Sequence, residues 1–332
     1  MGTMAASATV PTTQLGSLTV SRIIQGHWQL AGGHGREPFD DPSANMRNHV
    51  NAGITTFDTA DIYGASQEYI GKYLSTDQPK DAVVCTKFCC FSGLDSIDRN
   101  YVRKSILASC KKLGVKQLDL VAFFWGNWGV KNYVQTGLYL KELKEEGLIK
   151  EIGVTNFDVE HLRELLDAGV PVVSNQVQYS LVDRRPENGL LEYCDRTGIK
   201  VIAFGTVAGG YLSDQYLGQP RPVQINNYSE GLYSTSIGKA GGWRLHQQLL
   251  EVLDGIAKKH GVTIANVAEQ WVLQKPEVAA IIIGVRNSKH IAENVNAFSF
   301  SLDTEDNTAI NTVLEKEPTP LGDIWFRERG LV

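Results

Sequence analysis

Eight short apolar, β-rich runs recur along the chain, and helical patterns separate them; no other feature constrains the fold as much. The runs cover residues 20–26, 55–60, 82–88, 118–125, 149–156, 172–179, 199–206 and 279–285. Between them apolar residues fall three and four apart, as in 102–113, 139–144, 159–166, 191–196 and 245–259, the period of an amphipathic helix. Eight such units predict an α/β fold, a closed parallel (β/α)8 TIM barrel. An open doubly wound sheet is the rival, but no strand is followed by the Gly-x-Gly-x-x-Gly fingerprint of that fold.

Three segments depart from a minimal barrel. Residues 1–14 are small and polar and read as a flexible N-terminal tail, leaving 15–332 as a single barrel domain. Residues 213–243, rich in Gln, Asn, Tyr, Ser and Gly, read as a long loop after the seventh strand. Residues 303–314 read as an extra C-terminal helix, leading into a tail that holds Trp325.

The charges, 32 Lys and Arg against 37 Asp and Glu, form no long run of either sign, which argues against a nucleic-acid or anionic-membrane partner. No stretch approaches 18 uninterrupted apolar residues, and the first residues lack the basic-then-apolar pattern of a secretory signal, so a cytoplasmic location is expected. The five cysteines include a cluster at Cys85, Cys89 and Cys90 whose spacing fits no zinc ribbon; reduced thiols are expected, and no metal.

Chemistry-bearing residues gather where strands end. Asp58 lies four residues into the second run, Tyr63 just past it, and Lys87 near the end of the third. On neighbouring parallel strands the three converge at one mouth of the barrel, the end where barrel chemistry sits. A lysine beside a phenol favours the phenolate and lowers its pKa, while a carboxylate offsets and orients the lysine.

These residues, within the segment GITTFDTADIYG at 53–64 and with VVCTKF at 83–88, resemble the signature of the aldo-keto reductases. The resemblance implies an NAD(P)H-dependent oxidoreductase that reduces an aldehyde or ketone to an alcohol. Hydride would come from nicotinamide C4 and the proton from Tyr63, with Lys87 lowering the Tyr63 pKa and Asp58 holding Lys87. A histidine completes the family's catalytic tetrad at the end of the fourth strand; here Phe124 stands in its place. Phenylalanine has no donor, and losing one donor to a developing oxyanion costs about 3 kcal/mol, roughly a hundredfold in rate. Three readings stay open. Tyr63 works alone or with a second donor from water, Trp125, Asn127 or Trp128; the substrate is unusual, such as a conjugated alkene; or the chain is a nucleotide-sensing subunit with little turnover. His27, at the end of the first strand, is a further candidate for the missing imidazole.

The same resemblance assigns cofactor contacts. Asn156 and Gln176 would hold the nicotinamide carboxamide, and Phe204 would stack on its ring. Gly205 and Thr206 would let backbone approach the phosphates. After the eighth strand, Gly284 and Arg286 lead into a helix start suited to phosphate. Glu293 and Asn294 match the family's adenine-contacting pair, and His290 stands where an arginine often grips the 2′-phosphate. NADP(H) is therefore expected, with NAD(H) open. The substrate, a small-molecule carbonyl compound, would meet an aromatic rim of Trp28, Trp125 and Trp128, with Tyr228, Tyr233 and Trp325 as lids.

Overall fold

The computed structural model describes residues 9–32, 41–316 and 322–331. Eight parallel strands form the barrel: β1 (Ile23–Gly26), β2 (Thr56–Asp58), β3 (Val83–Cys90), β4 (Leu118–Trp125), β5 (Ile149–Thr155), β6 (Val172–Gln178), β7 (Lys200–Phe204) and β8 (Val278–Gly284). They lie side by side in chain order, and β8 closes the ring by pairing with both β7 and β1. The expected barrel is the observed one.

Around it run α1 (Pro42–Asn51), α2 (Ser66–Asp77), α3 (Arg99–Leu113), α4 (Tyr133–Glu145), α5 (Val159–Asp167), α6 (Leu190–Thr197), α7 (Tyr228–Lys239), α8 (Gly242–His260), α9 (Ile264–Leu273), α10 (Ile291–Val295) and α11 (Thr304–Leu314). Several starts are set by side-chain caps: Asp98 accepts from the Tyr101 amide, Asp158 from His161, and Asp303 forms a capping box with Asp306.

Strand periodicity divides the apolar residues into two cores. Along β4, Leu120 and Ala122 point into the barrel and pack with Ile24, Val83, Cys85 and Ile202. Val121, Phe123 and Trp125 point out, to the layer shared with the helices. Every second residue of β3 likewise faces inward, and that series runs Val83, Cys85, Lys87, Cys89.

Three expectations change. The first run is two strands, Leu18–Ser21 in a hairpin with Thr12–Leu15, and then β1. The break falls at Arg22, whose guanidinium is held by the carbonyls of Leu273, Val278 and Ala279. The same hairpin shortens the N-terminal tail, which becomes a strand at Thr12; residues 1–8 of it lie outside the described residues. Finally, 213–243 is not one loop. It contains α7, whose Gly231 and Gly238 weaken the helical signal in sequence but whose Asn227 cap accepts from the Glu230 amide.

Candidate active site

Register brings the first two catalytic candidates together. Asp58 sits opposite Cys85 across the β2–β3 pair, and Lys87 lies one inward step further along β3. From there the Lys87 ammonium donates to both carboxylate oxygens of Asp58 (2.7 and 2.8 Å) and to the Thr59 carbonyl (2.9 Å). The Gln176 amide, arriving from β6, donates to Asp58 Oδ1 at 2.7 Å. The ion pair is almost fully buried, with 6% and 5% of the side chains exposed.

Tyr63 lies in the turn between β2 and α2, its amide bonded to the Ala60 carbonyl, and its ring centroid is 4.8 Å from the Lys87 ammonium. Burial works against the Lys87 charge, but attraction to Asp58 and Tyr63 more than offsets it and raises the ammonium pKa. At Tyr63 the balance runs the other way. Burial dominates and lifts its pKa to about 12; the Lys87 charge pulls it down, and Asp58 pushes it up. The expected lowering by Lys87 is therefore present but outweighed, so the phenol stays protonated well above neutral pH.

These groups line a cavity of about 280 Å³ at the carboxyl end of the strands. Phe124, Asn156, Gln176, Phe204, Gly205 and Thr206 line it too, together with Trp28 and Gly284. Asn156 is held at φ +58°, a left-handed conformation that asparagine tolerates better than most residues. Its Oδ1 is buried without a partner, and so is Thr206 Oγ1. Gln29, which the sequence did not single out, lies over Gly284, where any side chain would collide with it, and its Oε1 is likewise unpartnered.

Several candidates sit elsewhere. Trp125 follows the inward-facing Phe124 and so points outward; its indole donates to the carbonyls of Asn127 and Val130. Trp128 is packed in the outer layer, stacked on His161 with ring centroids 3.9 Å apart. Neither they nor Asn127 line the cavity, so none of the three is the second donor. His27 is buried against Phe57 outside the cavity, and burial, with His49 nearby, holds its pKa at about 3. It does not replace the absent imidazole. Tyr228 is exposed, because it lies about 140° around α7 from Tyr233, which does face the cavity. The apolar rim is instead Trp28, Ile62, Phe91, Phe124, Leu232 and Trp325, with the Cys89 thiol among them.

Past β8, Arg286 borders a small side cavity shared with His27, Gln29 and Asn45. His290 Nδ1 pairs with Glu293 at 2.8 Å, and the other Glu293 oxygen accepts from Thr263. Asn294 continues α10 from there. These four residues do not line the main cavity.

The C-terminal tail is latched across the mouth. Arg185, buried, pairs with Asp183 and with Glu328. Arg329 donates to the carbonyls of Trp125 (2.9 Å) and Asn156 (3.1 Å), and its guanidinium lies over the Trp128 and Phe124 rings. This places Trp325 edge-on to Phe204 at the cavity wall. Arg329 carries no signal in sequence beyond being a cation in an apolar-aromatic tail.

Known proteins share this fold. The Aldo/keto reductase family profile matches residues 22–315. A chloroplastic pyridoxal reductase of Arabidopsis thaliana is 26% identical, over 95% of this chain and 89% of that protein. An NADH-specific methylglyoxal reductase of Escherichia coli is also 26% identical, over 90% and 96% respectively. Among solved structures, a thermostable aldo-keto reductase in complex with the inhibitor epalrestat superposes with a TM-score of 0.72 at 25% identity, covering 91% of this chain and 99% of that one. A glycerol dehydrogenase of Gluconobacter oxydans, 23% identical, shares the fold with a TM-score of 0.78 over 96% and 98%.

Proposed function

The chain belongs to the aldo/keto reductase family, whose chemistry is NAD(P)H-dependent carbonyl reduction, and from that premise we propose that Tyr63 is its general acid. The observation that carries this reading is the buried Asp58–Lys87 pair directly beneath the Tyr63 phenol, in the wall of a cavity. With a pKa of about 12 the phenol holds its proton at neutral pH, the state needed to protonate a carbonyl oxygen. Lys87 then stabilises the phenolate left behind, and Asp58, fixed by Gln176, keeps Lys87 in place.

A nicotinamide cofactor supplies the hydride when bound. The unpartnered Asn156 Oδ1 and Thr206 Oγ1 suit such a group, since one is a buried acceptor and the other a buried hydroxyl able to donate or accept, a match for a carboxamide. Asn156, Gln176 (through its carbonyl oxygen), Phe204, Gly205, Thr206 and Gly284 would hold the nicotinamide half, and Arg286, His290, Glu293 and Asn294 the adenosine half. NADP(H) is the proposed cofactor. NAD(H) is the alternative, because His290, tied to Glu293, offers a phosphate less than an arginine fork does.

The substrate is proposed to be a small aldehyde or ketone with an apolar or aromatic body, matched to the Trp28, Phe91 and Trp325 rim. No helix among the described residues is long and apolar enough to cross a membrane, and the proposal includes a cytoplasmic location. The test is oxidation of NADPH and of NADH with an activated aromatic aldehyde, wild type beside Tyr63→Phe. The variant should lose about 10²–10⁴-fold in kcat; turnover equal to wild type would remove Tyr63 from the chemistry.

A further inference from the structure

The cavity contains a second phenol. Tyr233, on α7, is 5% exposed and lines the same space as Tyr63, Lys87 and Phe124. Its ring lies against bare backbone just past β7. A Cβ built on Gly205 would come within 2.7 Å of its hydroxyl and 2.6 Å of its ring, and one on Gly209 within 2.6 Å of the ring. Both glycines have left-handed φ values, +71° and +63°, so the chain leaves this room at positions where a side chain would be strained as well as obstructed.

The Tyr233 hydroxyl has no hydrogen-bond partner among the described residues. Tyr179, also buried, shows the usual solution by donating to Glu187 at 2.7 Å. The Tyr233 hydroxyl instead opens onto the cavity, where an entering group can accept from it. Burial raises the Tyr233 pKa, and negative charge on Tyr63 and Asp183 raises it further, so the group is a donor throughout the working pH range. Meanwhile Phe124 offers no donor, and Trp125, Asn127, Trp128 and His27 lie outside the cavity.

We propose that Tyr233 is a catalytic residue whose hydroxyl donates a hydrogen bond to the same carbonyl oxygen that Tyr63 protonates. This rests on the assignment of Tyr63 as acid. As hydride reaches the carbonyl carbon, the C=O π pair moves to oxygen, and that oxygen takes the Tyr63 proton. Tyr233 keeps its own proton; its hydrogen bond strengthens while charge builds on the oxygen, which selectively favours the transition state. A donor on the inserted helix thus does the work that the end of the fourth strand cannot.

Tyr233→Phe keeps the ring in its glycine cradle and removes only the hydroxyl. The measurements are kcat/KM for an aromatic aldehyde, the NADPH dissociation constant, the affinity for benzoate as a stable oxyanion, and the melting temperature. Expected are a kcat/KM about a hundredfold lower, weaker benzoate binding, unchanged NADPH affinity and a melting temperature at or above that of wild type. Unchanged kcat/KM and benzoate affinity would overturn the proposal. A loss of NADPH affinity equal to the loss of kcat/KM would also overturn it, assigning the hydroxyl to the cofactor. Tyr63→Phe, measured in parallel, separates the two assignments. If it is inactive while Tyr233→Phe matches wild type, only the second donor fails; if it stays active while Tyr233→Phe is dead, the acid itself was misassigned.

Discussion

The two ends of the barrel are built on opposite terms. At the amino end of the strands, Leu15, Leu18 and Val20 of the hairpin plug the interior and pack on Ile24, Val83, Leu120 and Ile202. Polar groups of the hairpin find partners: the Ser21 amide donates to Thr56, the Ser21 hydroxyl to the Ile23 carbonyl, and the Ser17 amide to Glu151. At the carboxyl end, Gln29 Oε1, Asn156 Oδ1 and Thr206 Oγ1 gather around one cavity without partners, and the Tyr233 side chain lines the same space. The comparison shows a division of labour: one end is closed for stability, and the other holds unsatisfied groups ready for ligands.

The largest expected effect that would test this division is at Lys87. Lys87→Met removes the charge that supports the Tyr63 phenolate and leaves Asp58 buried with Gln176 alone. Steady-state turnover should fall by about 10²–10⁴-fold, and denaturant unfolding should show a loss of roughly 3–5 kcal/mol. A variant with full stability would mean that water reaches Asp58.

Leu18→Ala probes the opposite end. Unfolding should register a loss of about 2–5 kcal/mol, while kcat per folded molecule stays at the wild-type value. A fall in kcat without a fall in stability would show that the plug communicates with the mouth and would break the division.

The smallest effect concerns pH. Tyr63 acts as an acid only while protonated, and its pKa of about 12 leaves it protonated through the neutral and mildly alkaline range. The rate of carbonyl reduction should therefore show no decline from Tyr63 ionisation below that value. The reverse oxidation needs the phenolate, so its rate should rise about tenfold for each pH unit until the same pKa. A reduction rate that halves near pH 8 would mean that bound ligands or Lys87 lower the phenol pKa far more than burial raises it.

Much of the site was legible because strands report themselves. The ends of β2 and β3 placed Asp58 and Lys87 on adjacent walls, and the end of β4 placed Phe124 where a donor was missing. The rim was harder. Trp125 differs from Phe124 by one position, which in a strand is the difference between the outer layer and the cavity. In sequence Gln176 resembles a cofactor ligand, yet its amide N–H is taken by Asp58, a contact across 118 residues of chain. In sequence Tyr233 is only an aromatic of the long insertion, since nothing near it states that Gly205 and Gly209 leave a place for its ring.

The sequence by itself determined the barrel, the order of its strands and the identity of the buried ion pair, because period-two and period-3.6 patterns are local and the strand ends follow from them. Only the tertiary structure decided that burial outweighs Lys87 at the Tyr63 phenol, that the first run splits to plug the barrel, and which aromatic residues meet the cavity. Those outcomes depend on desolvation and on contacts between residues far apart in the chain, and neither quantity exists until the strands have closed into a ring.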